Sequence, residues 1–415
     1  MNNKPRIFTR TILLVSFVSL FTDIASEMLY PVMPVYLKSI GFSVMMIGLL
    51  EGIAEATAGL SKGYFGHLSD LLRRRAPFVR AGYALSAISK PMMAVLTFPL
   101  WIFFARTLDR FGKGIRTSAR DAMLSDETSP ENKGKVFGFH RALDTVGAAI
   151  GPVIALVFLW FNPGSYAWMF IIAFFPGLIA VALTFLLKDK PRQQDGSPVH
   201  LLTRSPVHPL TRSPQNPGFF SYLRYWNKAP RRFKPLVTGL LLFTLFNSSD
   251  VFLLLALKEQ SLSDTAMIGV YIFYNLVYAL FSYPMGVLAD RIGLKTVMIS
   301  GLFLFAVVYF SMGFASSLAV FGLLFFLYGL YAACTEGMSK ALISNMAGKN
   351  DIATAIGFYN SLASLCTLLA SSLAGLLWYL AGPKAMFMIS GTGVLIAACY
   401  LVWVLGRVTG RQGFS

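Results

Sequence analysis

Gly66-His67-Leu68-Ser69-Asp70, with Arg73-Arg74-Arg75 just beyond it, stands between two long apolar runs, and Gly286-Val287-Leu288-Ala289-Asp290-Arg291 stands between two more, 220 positions later. The chain is written twice. Each copy sets a small residue, an acid and basic residues at the mouth of a helical hairpin. Gly admits a close helix approach, Asp pairs across the gap, and the cations hold the turn out of the hydrocarbon. A second set of anchors keeps nearly the same spacing: Ala122, Ser125 and Gly138-Phe139-His140 recur as Ala341, Ser344 and Gly357-Phe358-Tyr359 at an offset of 219. Two independent anchors at one offset identify an internal duplication.

The bulk composition says what medium the duplication sits in. Of 415 residues 55% are hydrophobic and only 13% charged, with a mean hydropathy of +0.62, which is too apolar for a water-soluble chain and fits an all-α polytopic membrane protein. A formal charge of +17 would suggest nucleic acid as the partner of a soluble protein. Here the cations fall in alternate loops instead. Lys4, Arg6 and Arg10 precede the first apolar run, Arg73 to Arg75 follow the second, and Lys133 and Lys135 follow the fourth, while the opposite loops offer only Lys38, Lys258 and Lys384. By the positive-inside rule this predicts a multi-pass protein of the cytoplasmic (inner) membrane with both termini cytoplasmic, and the bilayer rather than nucleic acid as its surroundings. The first run is too long for a signal h-region. Cys334, Cys366 and Cys399 have no metal or redox spacing, and neither a metal site nor a cofactor is expected.

At about 20 apolar residues per span the chain divides into about twelve, over residues 11–37, 45–66, 77–97, 99–123, 136–161 and 166–187, then 235–257, 265–285, 296–315, 318–344, 355–380 and 385–406. This gives an N-terminal six-helix half over 1–188, a linker over 189–234 and a C-terminal six-helix half over 235–415. The linker is basic and Pro-rich and contains a local repeat, Ser197-Pro198-Val199-His200 recurring as Ser205-Pro206-Val207-His208. It reads as a tether, with a metal or phosphorylation site as the alternative. Its end, Phe219 to Trp226, mixes aromatics with cations and predicts a short interfacial helix on the inner leaflet.

Ionisable groups inside a span are costly, so each is a site hypothesis. Asp23, Glu27 and Tyr30 fall at i, i+4 and i+7 on one face of the first helix, with Pro31 beside them, and Glu51 and Glu55 fall at i and i+4 on the second. The fourth helix sets Arg106, Asp109, Arg110, Lys113, Arg116 and Arg120 largely on one face. That stripe is expected to face the cavity, its lower residues emerging into water near Asp121. Lys90 on the third helix and Arg141 and Asp144 on the fifth join the set. The C-terminal half offers Asp250, Glu336 and Lys340, the last two at i and i+4 as a neutralising pair or a substrate site. It also offers an aromatic and amide wall of Tyr271, Tyr274, Asn275 and Tyr278, continued by Tyr359 and Asn360. His67, His140, His200 and His208 are all placed at loops or helix ends, which argues against a membrane enzyme.

G-x-L-x-D with basic residues between the second and third helices, repeated between the eighth and ninth, resembles the signature loop of the major facilitator superfamily of secondary transporters, across the whole chain apart from the linker. In the first copy Leu71 stands where Arg or Lys is usual and Arg73 where Gly is usual; in the second, Leu294 stands where a basic residue is usual. Arg110-Phe111-Gly112-Lys113-Gly114 is similar to the fourth-helix motif of proton-coupled facilitators. Gly147-Ala148-Ala149-Ile150-Gly151-Pro152 is similar to the fifth-helix motif of the antiport branch. The resemblance implies two six-helix halves related by a pseudo-two-fold axis, a midplane cavity and alternating access. It implies gates at Gly66, Asp70 and Arg74 and at Gly286, Asp290 and Arg291. On that footing the chain is expected to be a proton-coupled exporter of a small polar or amphiphilic organic solute, acting as a monomer. Asp23 and Glu27 would be the coupling acids, Arg106 or Arg110 their partner, and Asp144 their support. Tyr30, Glu51, Glu55, Lys90, Lys113 and Arg141 from the first half, and Asp250, Tyr271, Tyr274, Asn275, Glu336, Tyr359 and Asn360 from the second, are the cavity candidates. The alternatives are a proton-coupled importer and a divalent-metal exporter ligated by Asp23, Glu27 and Glu51.

Overall fold

The computed structural model describes residues 7–30, 32–189, 218–260 and 264–409. All regular structure among them is helical. The first half holds α1 (Arg10–Glu27), α2 (Met33–Ser39), α3 (Val44–Leu71), α4 (Ala76–Val95), α5 (Pro99–Asp126), α6 (Lys133–Phe161) and α7 (Tyr166–Thr184). α8 (Tyr225–Lys228) lies near the end of the linker, and α9 (Phe233–Phe246), α10 (Val251–Glu259), α11 (Asp264–Ile292), α12 (Leu294–Met312), α13 (Leu318–Met346) and α14 (Ile352–Thr409) follow, the last broken at Gly382 (φ +83°) ahead of Pro383. The starts are local chemistry: Thr9 and Ser43 accept the Ile12 and Met46 amides at 3.3 and 3.2 Å, and Pro99 opens α5. The linker repeat, with His200 and His208, lies outside the described residues.

Among the described residues six helices are long and apolar enough to cross a membrane by composition alone: Pro130–Phe161, Tyr166–Thr184, Gly269–Ile292, Leu294–Met312, Leu318–Met346 and Ile352–Gly406, the last holding two passes. The other passes of the expected dozen are formed by helices that composition undercounts. α3, α4 and α5 carry charged side chains within the span, among them Lys90 of α4 at 1% exposure, and two spans are broken. The expected span 11–37 divides into α1 and α2, and 235–257 divides into α9 and α10. The breaks fall at equivalent points of the two halves and put Tyr30 and Asp250 in the gaps, so Tyr30 leaves the helical face it was expected to share with Asp23 and Glu27.

α1, α3, α4, α5, α6 and α7 pack together, as do α9 and α11 to α14; α3 against α14 and α6 against α11 are the two seams between the sets. A two-fold axis exchanges the seams. The glycines sit in them. A Cβ on Gly66 would strike the Ala353 carbonyl, and one on Gly286 the Gly134 carbonyl. α3 and α11 run 28 and 29 residues, longer than the roughly 20 a bilayer needs. The two signature stretches therefore form the last turns of helices rather than loops between them. Asp70 Oδ2 accepts the Thr354 amide and hydroxyl at 2.6 and 2.7 Å, and Asp290 accepts the Gly134 and Lys135 amides at 2.8 and 2.9 Å. Each acid thus receives the amide-rich start of a helix from the other half. Arg74 and Arg291, expected as gate cations, are exposed and make no ion pair among the described residues. Arg75 does that work from a buried position, bound to Asp70 and 3.6 Å from Asp126.

Arg73 has φ +53° where the second copy has Gly293 at φ +102°. A side chain in the left-handed region costs roughly 1–2 kcal/mol. Arg73→Gly is accordingly expected to raise thermal stability by about 1 kcal/mol, read as an increased unfolding temperature in detergent; an unchanged or lower value overturns the strain assignment.

The stretch expected to lie on the leaflet instead turns into the bundle. Tyr222 is 2% exposed and Tyr225 6%, Tyr222 lying over Gly63 of α3 and beside Ser361 of α14 while Trp226 stacks on Phe358 at 5.8 Å. The aromatics find helix surface there, and the segment straps the α3–α14 seam. The second half has one continuous apolar core, whereas the first has two, one gathered around Phe170 and Met93 and one around Tyr83 and Phe137. The charged stripe of α5 separates them.

Candidate functional site

Beside the α3–α14 seam lies a cavity of about 500 Å³, lined by Glu51, Glu55 and Lys62 from α3, Asn247 after α9, Glu336 and Lys340 from α13, and Tyr359 and Asn360 from α14. Five of the expected cavity residues, Glu51, Glu55, Glu336, Tyr359 and Asn360, are on its wall. Their charges are already matched. Arg106 grips Glu51 through two nitrogens at 2.8 and 2.9 Å, Arg110 lies 3.8 Å from Glu55, and Arg141 lies 3.9 Å from Glu336. Arg106 and Arg110 are therefore spent on α3, which corrects their expected pairing with Asp23 and Glu27. The small residues of α5 permit this proximity: a Cβ on Gly114 would collide with Ser61 of α3.

Deeper in the first half the α5 stripe is held dry. Lys90, 1% exposed, sits 3.5 Å from Asp109, which is also 3.5 Å from Arg106. Lys90 thus belongs to the α4–α5 interface rather than to the lining described above. Arg116 bonds Ser86 at 2.5 Å and lies over the Tyr83 ring at 4.5 Å. Arg116 and Arg120 do not emerge into water; they are 6% and 8% exposed, and Asp121 is wholly buried. Asp121 lies 2.9 Å from both Arg120 and Lys340. Lys340 therefore crosses to the other half, and the expected i, i+4 pair with Glu336 is not formed.

Asp23 does not meet a cation first. Its neighbour across the α1–α6 contact is Asp144, which in turn is 2.6 Å from Arg141 and 3.9 Å from Arg120. The approach of α1 to α6 is set by Gly147, where a Cβ would meet the Asp23 side chain at 3.1 Å, and by Gly151 one turn on. Arg141 also bonds the Tyr278 hydroxyl and lies over its ring. Glu27 and Lys113 are partly buried on α1 and α5 and make no ion pair among the described residues. His140, expected at a helix end, is 3% exposed inside α6, and neither ring nitrogen is hydrogen-bonded.

The aromatic wall of α11 is largely packing. Tyr274, Asn275 and Tyr278 are buried, the Asn275 amide bonds the Tyr271 carbonyl at 3.0 Å, and Tyr274 packs on Tyr328 with ring centroids 5.1 Å apart. Tyr328 donates to Asp250 at 2.7 Å. Among the described residues no group of three or more His, Cys, Asp or Glu is gathered as metal ligands would be, and Glu51, one of the three carboxylates considered for metal, is held by Arg106. The Asp70 and Asp290 bonds and the Asp121–Lys340 pair join the halves at the end of the bundle with the basic turns, while Arg141 meets Tyr278 and Glu336 nearer mid-helix. Glu51 and Glu55 keep 38% and 52% of their side chains exposed toward the other end.

The profile of the Major Facilitator Superfamily matches residues 15–277 and 254–414. The chain belongs to the Major Facilitator Superfamily. An uncharacterized MFS-type transporter of Methanocaldococcus jannaschii is 31% identical over 411 residues, covering 97% of each chain. The multi-drug resistance efflux pump PmrA of Streptococcus pneumoniae is 22% identical over 82% of each. Among solved structures the human organic anion transporter MFSD10 superposes with a TM-score of 0.77 at 18% identity, covering 94% of this chain and 99% of that one. This facilitator is thus a membrane transporter and not an enzyme. Lys62 and Thr354 were absent from the residues singled out by sequence, and Arg75 was read only as one of three cations beyond the helix. For Lys62 a signal existed: it continues the stripe of Glu51, Glu55 and Gly59 along one face of α3.

Proposed function

We propose that this facilitator exports a small polar or amphiphilic organic solute across the cytoplasmic membrane in exchange for protons. The observation that carries the reading is the Asp23–Asp144 contact. Two neighbouring carboxyls away from bulk water repel when both are ionised, which favours a proton on one of them, and Asp144 is flanked by Arg120 and Arg141, which compensate its charge when that proton leaves. The pair sits on α1 and α6 and reaches the α6–α11 seam through Arg141 and Tyr278, where gain or loss of a proton biases which end is open. Export is favoured by the similarity to an efflux pump and by the Gly147–Pro152 motif. The basic turns then face the cytoplasm with both termini, and the conformation, sealed at that end, is outward-open. Residues 1–188 and 235–415 act as the rocking halves of a monomer, with 189–234 as their tether.

The test is internal pH in proteoliposomes of known orientation under imposed gradients of organic anions, organic cations and sugars. Proton movement opposite to one substrate is the expected result. Movement in the same direction reverses the reading to import, and no coupled movement with any substrate removes it.

A further inference from the structure

Each acid on the cavity wall has a cation, and Lys340 has Asp121. Lys62 has none. Among the described residues no carboxylate comes within ion-pair distance of its ammonium. Its charged surroundings are Glu55, already facing Arg110, and the like charges of Lys113, Lys340 and Arg110. It stands seven residues beyond Glu55 on α3, about 10 Å further along the axis, where the cavity runs into the seam. Gly59 and Gly63 lie there against Ser364 and Ser361 of α14, and the Ser361 hydroxyl bonds the Gly59 carbonyl at 2.7 Å. Two amides on the same wall are incomplete. Asn360 Nδ2, a donor, and Asn247 Oδ1, an acceptor, are buried with no hydrogen-bond partner, although the other amide atom of Asn247 donates to Tyr331 at 3.1 Å.

An unmatched ammonium and an unused amide donor at the floor of one cavity define what completes them. A half-buried ammonium on a cavity wall without a counter-ion attracts an anion, a buried donor without an acceptor is unfavourable, and a carboxylate answers both at once. The spare carbonyl of Asn247 asks for a donor in the same molecule, such as a hydroxyl. Resting on the transport reading above, we infer that the exported solute is a hydroxylated carboxylic acid. Its carboxylate is seated on Lys62 Nζ and Asn360 Nδ2, and its hydroxyl donates to Asn247 Oδ1. The acids higher on the wall are neutralised by Arg106 and Arg110 and do not repel it. Between substrate molecules Lys62 is the group left uncompensated, so the seat also favours exchange over an empty return.

The experiment is binding by the full-length protein in detergent, followed by thermal shift and calorimetry, with citrate, malate and lactate as probes. Glycerol, chloride, inorganic phosphate and tetraphenylphosphonium are the comparison solutes. At least one hydroxycarboxylate is expected to bind, with affinity at least tenfold weaker in Lys62→Met and in Asn360→Ala, and retained in Lys62→Arg. Reading two variants guards against one that fails to fold. Absence of Lys62-dependent binding across the carboxylates overturns the inference, as does equal binding of chloride or phosphate. Carboxylate binding without proton-linked flux would remove the exchange reading and leave the seat. Proton-linked flux of cations or neutral solutes alone would do the opposite.

Discussion

Asp23→Asn is expected to uncouple the transporter: in oriented proteoliposomes, proton movement linked to substrate falls by on the order of a hundredfold, the scale seen when an acid–base group is removed, while substrate counterflow persists. The reasoning starts from what the amide keeps. Asn is nearly isosteric with Asp and can still donate to Asp144, so the close approach of α1 to α6 at Gly147 and the pairing of Asp144 with Arg141 at 2.6 Å are preserved. Only the exchangeable proton is lost. Asp144→Asn is a different experiment, because it also strips Arg141 and Arg120 of a buried counter-charge and should lower stability as well as coupling. Glu27→Asn belongs beside it as a comparison, since Glu27 lies one turn from Asp23 without touching Asp144. Coupled flux surviving intact in Asp23→Asn would end the assignment of the proton to this pair.

The parts of the fold legible in the sequence are those fixed by backbone approach. Gly66 and Gly286 mark helix contacts because nothing larger fits at Ala353 and Gly134, and Asp70 and Asp290 keep their offset because each meets the start of a helix from the other half. Spacing along one helix says which side chains share a face, so the α5 stripe was visible as a stripe. It does not say which charge meets which across a gap. Arg106 was free in the sequence to serve Asp23, Glu27 or Glu51, and only packing of α5 on α3 assigns it to Glu51. Lys340 looked like the partner of Glu336 four residues away, yet Asp121 on α5 holds it at 2.9 Å. Arg75 read as one of three cations outside the membrane, although its neighbours Arg73 and Arg74 take that role and it does not. Buried charge is where local spacing fails as a guide, since its partners are chosen by tertiary distance.

That same pair sets the second large effect. Lys340→Met should shift the protein toward the conformation open at its basic end. Asp121 is wholly buried and shared between Arg120 and Lys340, and Arg120 is itself divided among Asp121, Ser19 at 2.8 Å and Asp144 at 3.9 Å. Losing one partner of a buried ion pair costs roughly 3–5 kcal/mol. Here the cost falls on the sealed conformation alone, because separating α13 from α5 lets water reach Asp121 in the other. At 1.4 kcal/mol per factor of ten, the low end of that range moves the equilibrium by about a hundredfold. Spin labels on Arg74→Cys and Lys349→Cys, exposed positions at the basic ends of the two halves, with the three native cysteines replaced, should report a longer distance population in Lys340→Met. Lys340→Arg should keep the short one. Adding Asp121→Asn to Lys340→Met removes the stranded carboxylate and should restore part of the sealed population, a non-additivity that loss of packing alone would not produce. An unchanged distance distribution in Lys340→Met would mean that the seam is closed by the Asp70 and Asp290 latches without this pair.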